Sequence, residues 1–299
     1  MRRAIPPLLL IFLIQCVLVA VVYWPESAEP EQATTATRLT LVMPDTIDEI
    51  HIGDEFDNQA VLQRSGDRWI LPVLQELPAD NARVNDLLQR IVTEDPGWPV
   101  ANTIAARQRF QVADYHYQRQ VKLFAEGELA DTIFLGTSPA FRKVHARNAE
   151  QDAIFSLTLN NFDVSALDTA WLDRKLLQIR APLSISADAY SVNRREGEWR
   201  AGTGGIPDDR ELQALLGTLR NLQVEGVAGE DVQRELSQAA AELVLQIESL
   251  AGNVTLELFS LEGRPYIYSS EFTLFFRLSA YDFDRLTGID FVRISGAAP

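Results

Sequence analysis

The chain has 299 residues, 46% hydrophobic and 23% charged, a composition that is ordinary for a globular protein. Its formal net charge is −15, which argues against nucleic acid or an anionic lipid surface as a charge-driven partner. The single cysteine excludes a disulfide framework.

The N-terminal segment is predicted to be a transmembrane anchor. Arg2 and Arg3 precede residues 4–24, which carry no charge, and about 20 apolar residues span a hydrocarbon layer of ~30 Å. A cleaved signal peptide has a shorter apolar core and a better cleavage site than "VVYWPESA". A lipoprotein signal needs a small residue before Cys16, where Gln15 stands. Because basic residues stay in the cytoplasm, we expect a single-pass inner (cytoplasmic) membrane protein, N-terminus cytoplasmic and bulk periplasmic.

The rest of the sequence indicates a duplicated α+β region behind a stalk. Residues 25–38 are polar and rich in Pro, Thr and Ala, which predicts a flexible stalk. After the stalk, one order of elements occurs twice. We therefore predict two similar modules in tandem, 39–175 and 176–296, each with antiparallel strands and an amphipathic helix.

Each copy begins with a hairpin and a helix. The hairpins turn at a glycine and end in Trp69 and Trp199. Asp80 and Asp208 stand four residues before the apolar helix faces and are predicted N-caps, and Glu211 predicts an acidic capping box with Asp208. Apolar residues at helical spacing are Val84, Leu87, Leu88 and Ile91 in the first copy, and Leu212, Leu215, Leu216 and Leu219 in the second.

Each copy continues with strand-like segments. Apolar and polar residues alternate in several of them, as is typical of antiparallel strands with one solvated face. Both copies close on matching segments, "FSLTLNNFD" at 155–163 and "FRLSAYDFD" at 276–284, each followed by a short helical segment.

Several segments follow the anchor and the Trp-ended hairpin in a recognisable order. They are "PADNARVNDLLQRI" (78–91), "TIFLGTSP" (132–139), a "KVHAR" strand and "LDRKLLQI" (172–179). Together they resemble a bacterial family of membrane-anchored domains of unknown function, whose genes often lie beside ABC transporters of the gliding-motility type. The resemblance covers most of residues 40–295, although 109–118 departs from the family's pattern. It brings no catalytic residues and implies an accessory role near an export or lipid-handling transporter.

The residues that carry chemistry show no recognisable catalytic or metal-binding motif. His51, His116 and His145 each fall on a strand-like segment without metal-ligand spacing. We expect surface or strand-edge histidines, although a site assembled from the three in space stays open. "GTSPA" at 136–140 lacks the second glycine of a nucleophile elbow. No cofactor, no metal and no catalytic residue is predicted.

Two pairs of carboxylates are the candidates for acid–base chemistry. Asp163 and Asp168 lie near the end of the first copy, and Asp282 and Asp284 occupy the matching place in the second. Acids are favoured at helix starts, so we expect capping. The alternative is a pair placed across a cleft, as in glycosidases.

The glycines Gly202, Gly204 and Gly205 pose a question about phosphate binding. A phosphate loop needs free N–H groups at a helix start. Asp208 and Asp209 occupy that place with negative charge, and no Lys-Ser/Thr pair follows the glycines. We therefore predict a turn into a helix.

Two loops, at 93–100 and 202–209, are predicted to make contacts, and the aromatic stretch at 264–284 has two possible roles. The aromatic stretch suits a sheet core, with a surface for apolar cargo as the alternative. Trp98, between Gly97 and Pro99, is the candidate partner contact. The alternative is a tryptophan that folds back over the first helix.

These observations predict a non-enzymatic, membrane-anchored periplasmic accessory or scaffold protein of an ABC-type envelope transport complex. The partner would be a membrane protein complex, such as an ABC transporter permease. One alternative is a periplasmic module that binds lipid or peptide between the repeats. Another is a carboxylate-dependent enzyme acting on envelope polymers, which would need acids from both modules in one cleft.

Overall fold

A computed structural model describes Gln15 and residues 38–296. Apart from Gln15, the predicted anchor at 4–24 lies outside the described residues, as does the predicted stalk before Arg38. Among the residues that the structure describes, no helix is long and apolar enough to cross a membrane.

The first half of the described chain is one mixed unit of strands and short helices. In chain order it contains β1 (Ile47–Asp54), β2 (Gln59–Ser65), β3 (Arg68–Leu71), β4 (Leu77–Pro78), α1 (Asn81–Leu88), α2 (Ile104–Arg109), β5 (Val112–Ala113), β6 (His116–Tyr117), β7 (Arg119–Ala125), β8 (Glu128–Leu135), β9 (Val144–Asn148) and β10 (Ile154–Leu157). A π-helical turn, Gln89–Thr93, follows α1 directly, and two 3-10 turns follow β10, Asn161–Asp163 and Asp168–Ala170.

The second half contains β11 (Pro182–Ser186), β12 (Ser191–Arg195), β13 (Glu198–Ala201), α3 (Asp209–Asn221), β14 (Val224–Val227), α4 (Glu230–Leu236), β15 (Leu243–Ser249), β16 (Gly252–Leu261), β17 (Arg264–Ser269), β18 (Leu274–Leu278), α5 (Ala280–Thr287) and α6 (Phe291–Ile294). Both predicted hairpins are present, and their turn glycines, Gly66 and Gly197, have φ of 61° and 92°. Glycine adopts such positive φ at little cost.

Each half forms one eight-stranded sheet in which neighbouring strands are antiparallel. The first has the order β10-β9-β8-β7-β1-β2-β3-β4, and the second has the order β13-β12-β11-β15-β16-β17-β18-β14. Seven strands of the second sheet, read from β18 to β13, correspond one by one to the strands of the first sheet read from β10 to β3. The predicted mixture of helices and antiparallel strands is confirmed.

The match extends to the edge of each sheet. Ala101 forms an isolated bridge with Ile154 on β10, at the edge of the first sheet. At the corresponding edge of the second sheet, β14 pairs with β18. Short helices, α2 and α4, follow these two edge contacts. Both halves therefore repeat the sequence of strand and helix connections almost completely.

Both amphipathic helices begin as predicted. The Asp80 carboxylate accepts hydrogen bonds from two N–H groups in the first turn of α1, and that of Asp208 does the same for α3. All eight predicted apolar helix-face residues are buried. The predicted capping box is wrong: the Asp208 N–H donates to the Arg293 carbonyl oxygen, while the Glu211 carboxylate accepts from the Asp290 N–H. Both groups of the predicted box are therefore bonded to the C-terminal segment instead of to each other.

The core lies chiefly on the sheet faces that α1 and α3 cover, where one continuous apolar cluster includes residues of both halves. The opposite face of each sheet carries a smaller cluster beside a short helix. Beside α2 the smaller cluster contains Val112, Phe134 and Ile154. Beside α4 it contains Ala228, Leu236, Phe259, Tyr266 and Phe275.

Residues 171–179, the connecting segment, join the two halves through backbone hydrogen bonds on both sides. The Trp171 carbonyl oxygen accepts from the Asp80 N–H at 2.7 Å, at the start of α1. Further along, the Ile179 N–H donates to the Leu219 carbonyl oxygen at 3.0 Å, at the end of α3. The segment is thus held against one helix from each half.

Candidate functional site

The three histidines lie in different environments. His51 on β1 is half-buried between Glu49 and Gln59, and His116 is exposed on β6. The expectation of surface or strand-edge histidines is wrong for His145, which is only 7% exposed on β9. In residues 38–296 and at Gln15, no group of three or more His, Cys, Asp or Glu side chains is arranged to hold a metal ion.

His145 is held in place by its neighbours on the outer face of the first sheet. Its Nδ1–H donates to the Thr137 carbonyl oxygen at 2.9 Å, and its ring stacks on Phe110 with centroids 4.0 Å apart. Burial lowers the pKa of His145, and the hydrogen bond to Thr137 partly opposes this effect. The folded protein therefore favours the neutral imidazole.

This lowered pKa predicts a loss of stability in mild acid. Below the unfolded pKa of about 6.5, the unfolded chain binds a proton at His145 that the folded chain does not bind. The free energy of unfolding therefore decreases as the pH is lowered, until the folded pKa is reached. The steepest slope that one proton allows is about 1.4 kcal/mol per pH unit. Urea unfolding from about pH 7.5 to 5 should show a positive slope, no steeper than this limit, in the wild type and in His116→Gln. The slope should be missing in His145→Gln, and equal pH profiles for His145→Gln and the wild type would contradict the assignment.

The carboxylates of the first half do not cap helices, contrary to expectation. Asn160 caps the 3-10 turn that Asp163 ends. The turn that begins at Asp168 has no side-chain cap, since Leu167 stands at the cap position, and the Asp168 carboxylate accepts from the Val61 N–H on β2 at 2.9 Å. Both acids lie in the first turn of a three-residue 3-10 helix, and the Asp168 carboxylate joins the second of these turns to β2.

In the second half the helix cap of α5 is Ser279, which accepts from the Asp282 N–H at 3.0 Å. Asp282 lies in the first turn and accepts from the Ser279 hydroxyl at 3.0 Å. Asp284 lines an open cleft of about 440 Å³ with Asp209 and Glu211. All acids of this cleft come from the second half, so it does not join the two predicted modules.

The glycines before α3 form a turn that packs against the C-terminal segment. Gly204 has φ of 89°, and a Cβ on Gly205 would lie 2.8 Å from the Gly296 carbonyl oxygen. The Thr203 hydroxyl donates to the Ser295 carbonyl oxygen at 2.5 Å. The first N–H groups of α3 already bond the Asp208 carboxylate. The glycines thus permit a close backbone approach, as a turn into a helix requires.

The aromatic stretch at 264–284 contributes mainly to the core, as predicted. Tyr266 is 4% exposed, Phe275 is 8% exposed and Phe276 is fully buried. The exception is Tyr281 on α5, which is 71% exposed.

Trp98 lies along β10, an edge strand of the first sheet. The Arg90 guanidinium donates to the Thr158 carbonyl oxygen at 2.8 Å, just beyond one end of β10, and Ala101 bridges Ile154 at the other end. The segment between Arg90 and Ala101 therefore follows this edge. Trp98 is 84% exposed on it, so the alternative of a tryptophan packed over α1 is not observed.

One end of the first sheet gathers exposed apolar side chains. Pairing places Asp54 opposite Arg119, Arg119 opposite Leu135, and Val144 opposite Leu157, so the loops next to these residues meet at the same end. We call these segments, at 55–58, 114–118 (which includes the short strand β6), 136–143 and 158–168, the distal loops. Their exposed apolar residues are Phe56, Tyr115, Phe141, Phe162 and Leu167, between 54% and 90% exposed.

The distal loops are tied to one another by hydrogen bonds. The Asn161 amide donates to the Gln118 side chain at 2.6 Å and to the Gly136 carbonyl oxygen at 2.7 Å. The Arg119 guanidinium donates to the Val164 carbonyl oxygen at 2.9 Å. These bonds hold the loops that carry Phe141 and Phe162 in fixed positions next to each other. Sequence patterns did not indicate this surface, because its residues come from four separate segments.

The chain enters the described region at the opposite end of the sheet. The Asn148 amide, at the end of β9, donates to the Leu39 carbonyl oxygen at 2.9 Å. Since β9 begins among the distal loops, its length separates those loops from Leu39.

The fold and these surfaces define an α+β protein with two antiparallel sheets and an exposed apolar end. The model of the family described as Domain of unknown function (DUF4340) matches residues 69–241. Because this is more than half of the chain, the chain belongs to that family. The match begins within β3, ends before β15 and includes the whole connecting segment. No curated protein and no solved structure matches the chain.

Proposed function

We propose that this chain is a non-enzymatic, membrane-anchored accessory or scaffold protein of an ABC-type envelope transport complex. Residues 4–24 would anchor it in the inner membrane, with the N-terminus in the cytoplasm and the modules 39–175 and 176–296 in the periplasm. The observation that carries the proposal is the concentration of exposed aromatic residues on the distal loops and at Trp98. Aromatic side chains held in fixed positions are typical anchors of protein interfaces.

The arrangement favours a protein partner over the lipid surface. The distal loops lie at the end of the first sheet away from Leu39, where the chain continues toward the predicted anchor. The acidic charge of the chain adds repulsion from anionic lipid. A periplasmic part of a membrane protein complex, such as a permease, fits both features.

The shared strand order supports a duplication whose copies have diverged in function. In the second half, α5 and α6 follow β18 and pack against α3. The first half has the segment 158–170, with two 3-10 turns, in that place. The first copy therefore presents apolar loops at an end where the second copy adds two helices.

Trp98→Ala tests the proposal in membranes that contain the full chain. Loss of an exposed interface anchor is expected to reduce recovery of the membrane partner complex by at least about tenfold after crosslinking and affinity purification. Stability should be unchanged, because Trp98 is 84% exposed.

Tyr281→Ala is the matched control, since this aromatic residue is 71% exposed on the second half. Its recovery of the complex should equal that of the wild type. Unchanged recovery with both Trp98→Ala and a Phe141→Ala, Phe162→Ala double variant would overturn the proposal.

A further inference from the structure

A small cleft beside the connecting segment is lined by three arginines from three different elements. It has a volume of about 130 Å³. Arg180 follows the connecting segment, Arg194 lies on β12 and Arg220 lies in the last turn of α3. The remaining lining residues are Ile179, Ala181, Pro182, Trp199 and Leu216.

A backbone hydrogen bond brings two of these arginines close together, and the third lies on the neighbouring hairpin. The Ile179 N–H bonds the Leu219 carbonyl oxygen at 3.0 Å, which places Arg180 beside Arg220. Arg194 lies opposite Trp199 in the hairpin, and its Nε–H donates to the Gly197 carbonyl oxygen at 3.3 Å.

The cleft is cationic in a strongly acidic chain. Beyond residue 24 there are 25 basic and 42 acidic residues, because two of the 27 basic residues are Arg2 and Arg3. No carboxylate lines the cleft, and within residues 38–296 none forms an ion pair with its three arginines. Four larger clefts each include at least one carboxylate. Three neighbouring cations repel one another unless an anion lies between them.

We propose that this cleft binds a phosphate group, either free or as the headgroup of a lipid. The planar guanidinium donates two parallel hydrogen bonds to phosphate oxygens, and arginines from three directions surround a tetrahedral anion well. The volume of about 130 Å³ leaves space for a single phosphate group beside the three arginines.

A second, larger cleft offers space for the rest of a ligand. It measures about 480 Å³ and shares Ile179, Arg180 and Ala181 with the first. Leu176, Leu250 and Val254 provide apolar contacts there, beside the hydroxyl groups of Ser249 and Ser270. A phosphate that carries a short apolar body would fill both clefts, with Arg180 between them.

The test measures binding to the full-length chain in neutral detergent, with inorganic phosphate as the first probe and dihexanoyl phosphatidic acid as the second. Calorimetry and thermal unfolding are compared with sodium chloride at equal ionic strength. The variant is Arg180→Gln with Arg220→Gln. The matched control is Arg200→Gln, because Arg200 lies on the same hairpin but is paired with Glu198.

The wild type and Arg200→Gln are expected to bind at least one probe and to unfold at a higher temperature with it. The double variant should bind at least about tenfold more weakly, while its melting temperature without ligand stays equal or rises because repulsion is removed. Tighter binding of phosphatidic acid assigns a lipid headgroup, and equal or tighter binding of inorganic phosphate assigns free phosphate. Equal stabilisation by chloride, or undiminished phosphate binding by the double variant, would overturn the proposal.

Discussion

Replacing Trp171 by alanine is expected to lower the free energy of unfolding by about 3–5 kcal/mol, the range for large-to-small changes of a buried aromatic residue. Trp171 is fully buried at the start of the connecting segment. Its indole Nε1–H donates to the Ser165 carbonyl oxygen at 2.8 Å, and the Arg83 guanidinium lies 4.5 Å from the ring centroid. The substitution thus removes packing, a hydrogen bond and a cation–π contact at once.

Urea denaturation of the wild type, Trp171→Ala and Trp98→Ala measures this effect. Trp98→Ala removes the same side chain from an exposed place, so its stability should lie within about 0.5 kcal/mol of the wild type. A loss below about 1 kcal/mol for Trp171→Ala would show that the connecting segment does not hold the fold together.

Arg147→Ala is expected to cost about 3–5 kcal/mol, because it empties a buried site and leaves several carbonyl oxygens there without their hydrogen-bond donor. Arg147 on β9 is fully buried. Its guanidinium donates to the Asp114 carboxylate and lies 5.1 Å from the Phe134 ring centroid. It also donates to four carbonyl oxygens, those of Val112, Asn148, Ala149 and Gln151, at 2.7–3.1 Å.

Two further variants separate the contributions at this site. Asp114→Asn should cost about 1 kcal/mol or less, since that carboxylate is 70% exposed. Arg147→Met keeps much of the side-chain volume but leaves the carbonyl oxygens without their donor, so most of the loss should remain. If the methionine variant unfolds at the wild-type urea concentration, the hydrogen bonds do not stabilise this face.

The sites on the structure were only partly predictable. The exposure of Trp98 is compatible with its position between Gly97 and Pro99, but its place along β10 depends on the bridge between Ala101 and Ile154. The burial of His145 could not be predicted, because alternation of polar and apolar residues fails where both faces of a strand are covered. Every residue of β9 is buried for that reason.

Local physics was enough to predict the helices and hairpins from the sequence. Asp80 and Asp208 cap their helices because the acceptor and the free N–H groups are two or three residues apart. The apolar helix faces and the glycine turns depend on equally short spacings. The repeated order of elements followed from these signals together.

Contacts between residues far apart in the sequence depend on the tertiary structure alone. The Glu211 carboxylate accepts a hydrogen bond from the N–H of Asp290, 79 positions away, instead of forming the predicted capping box with Asp208. The meeting of Arg180, Arg194 and Arg220 depends on how a hairpin, a helix end and the connecting segment pack. Such contacts arise from chain folding over long separations, for which the spacing of residues in the sequence carries no signal.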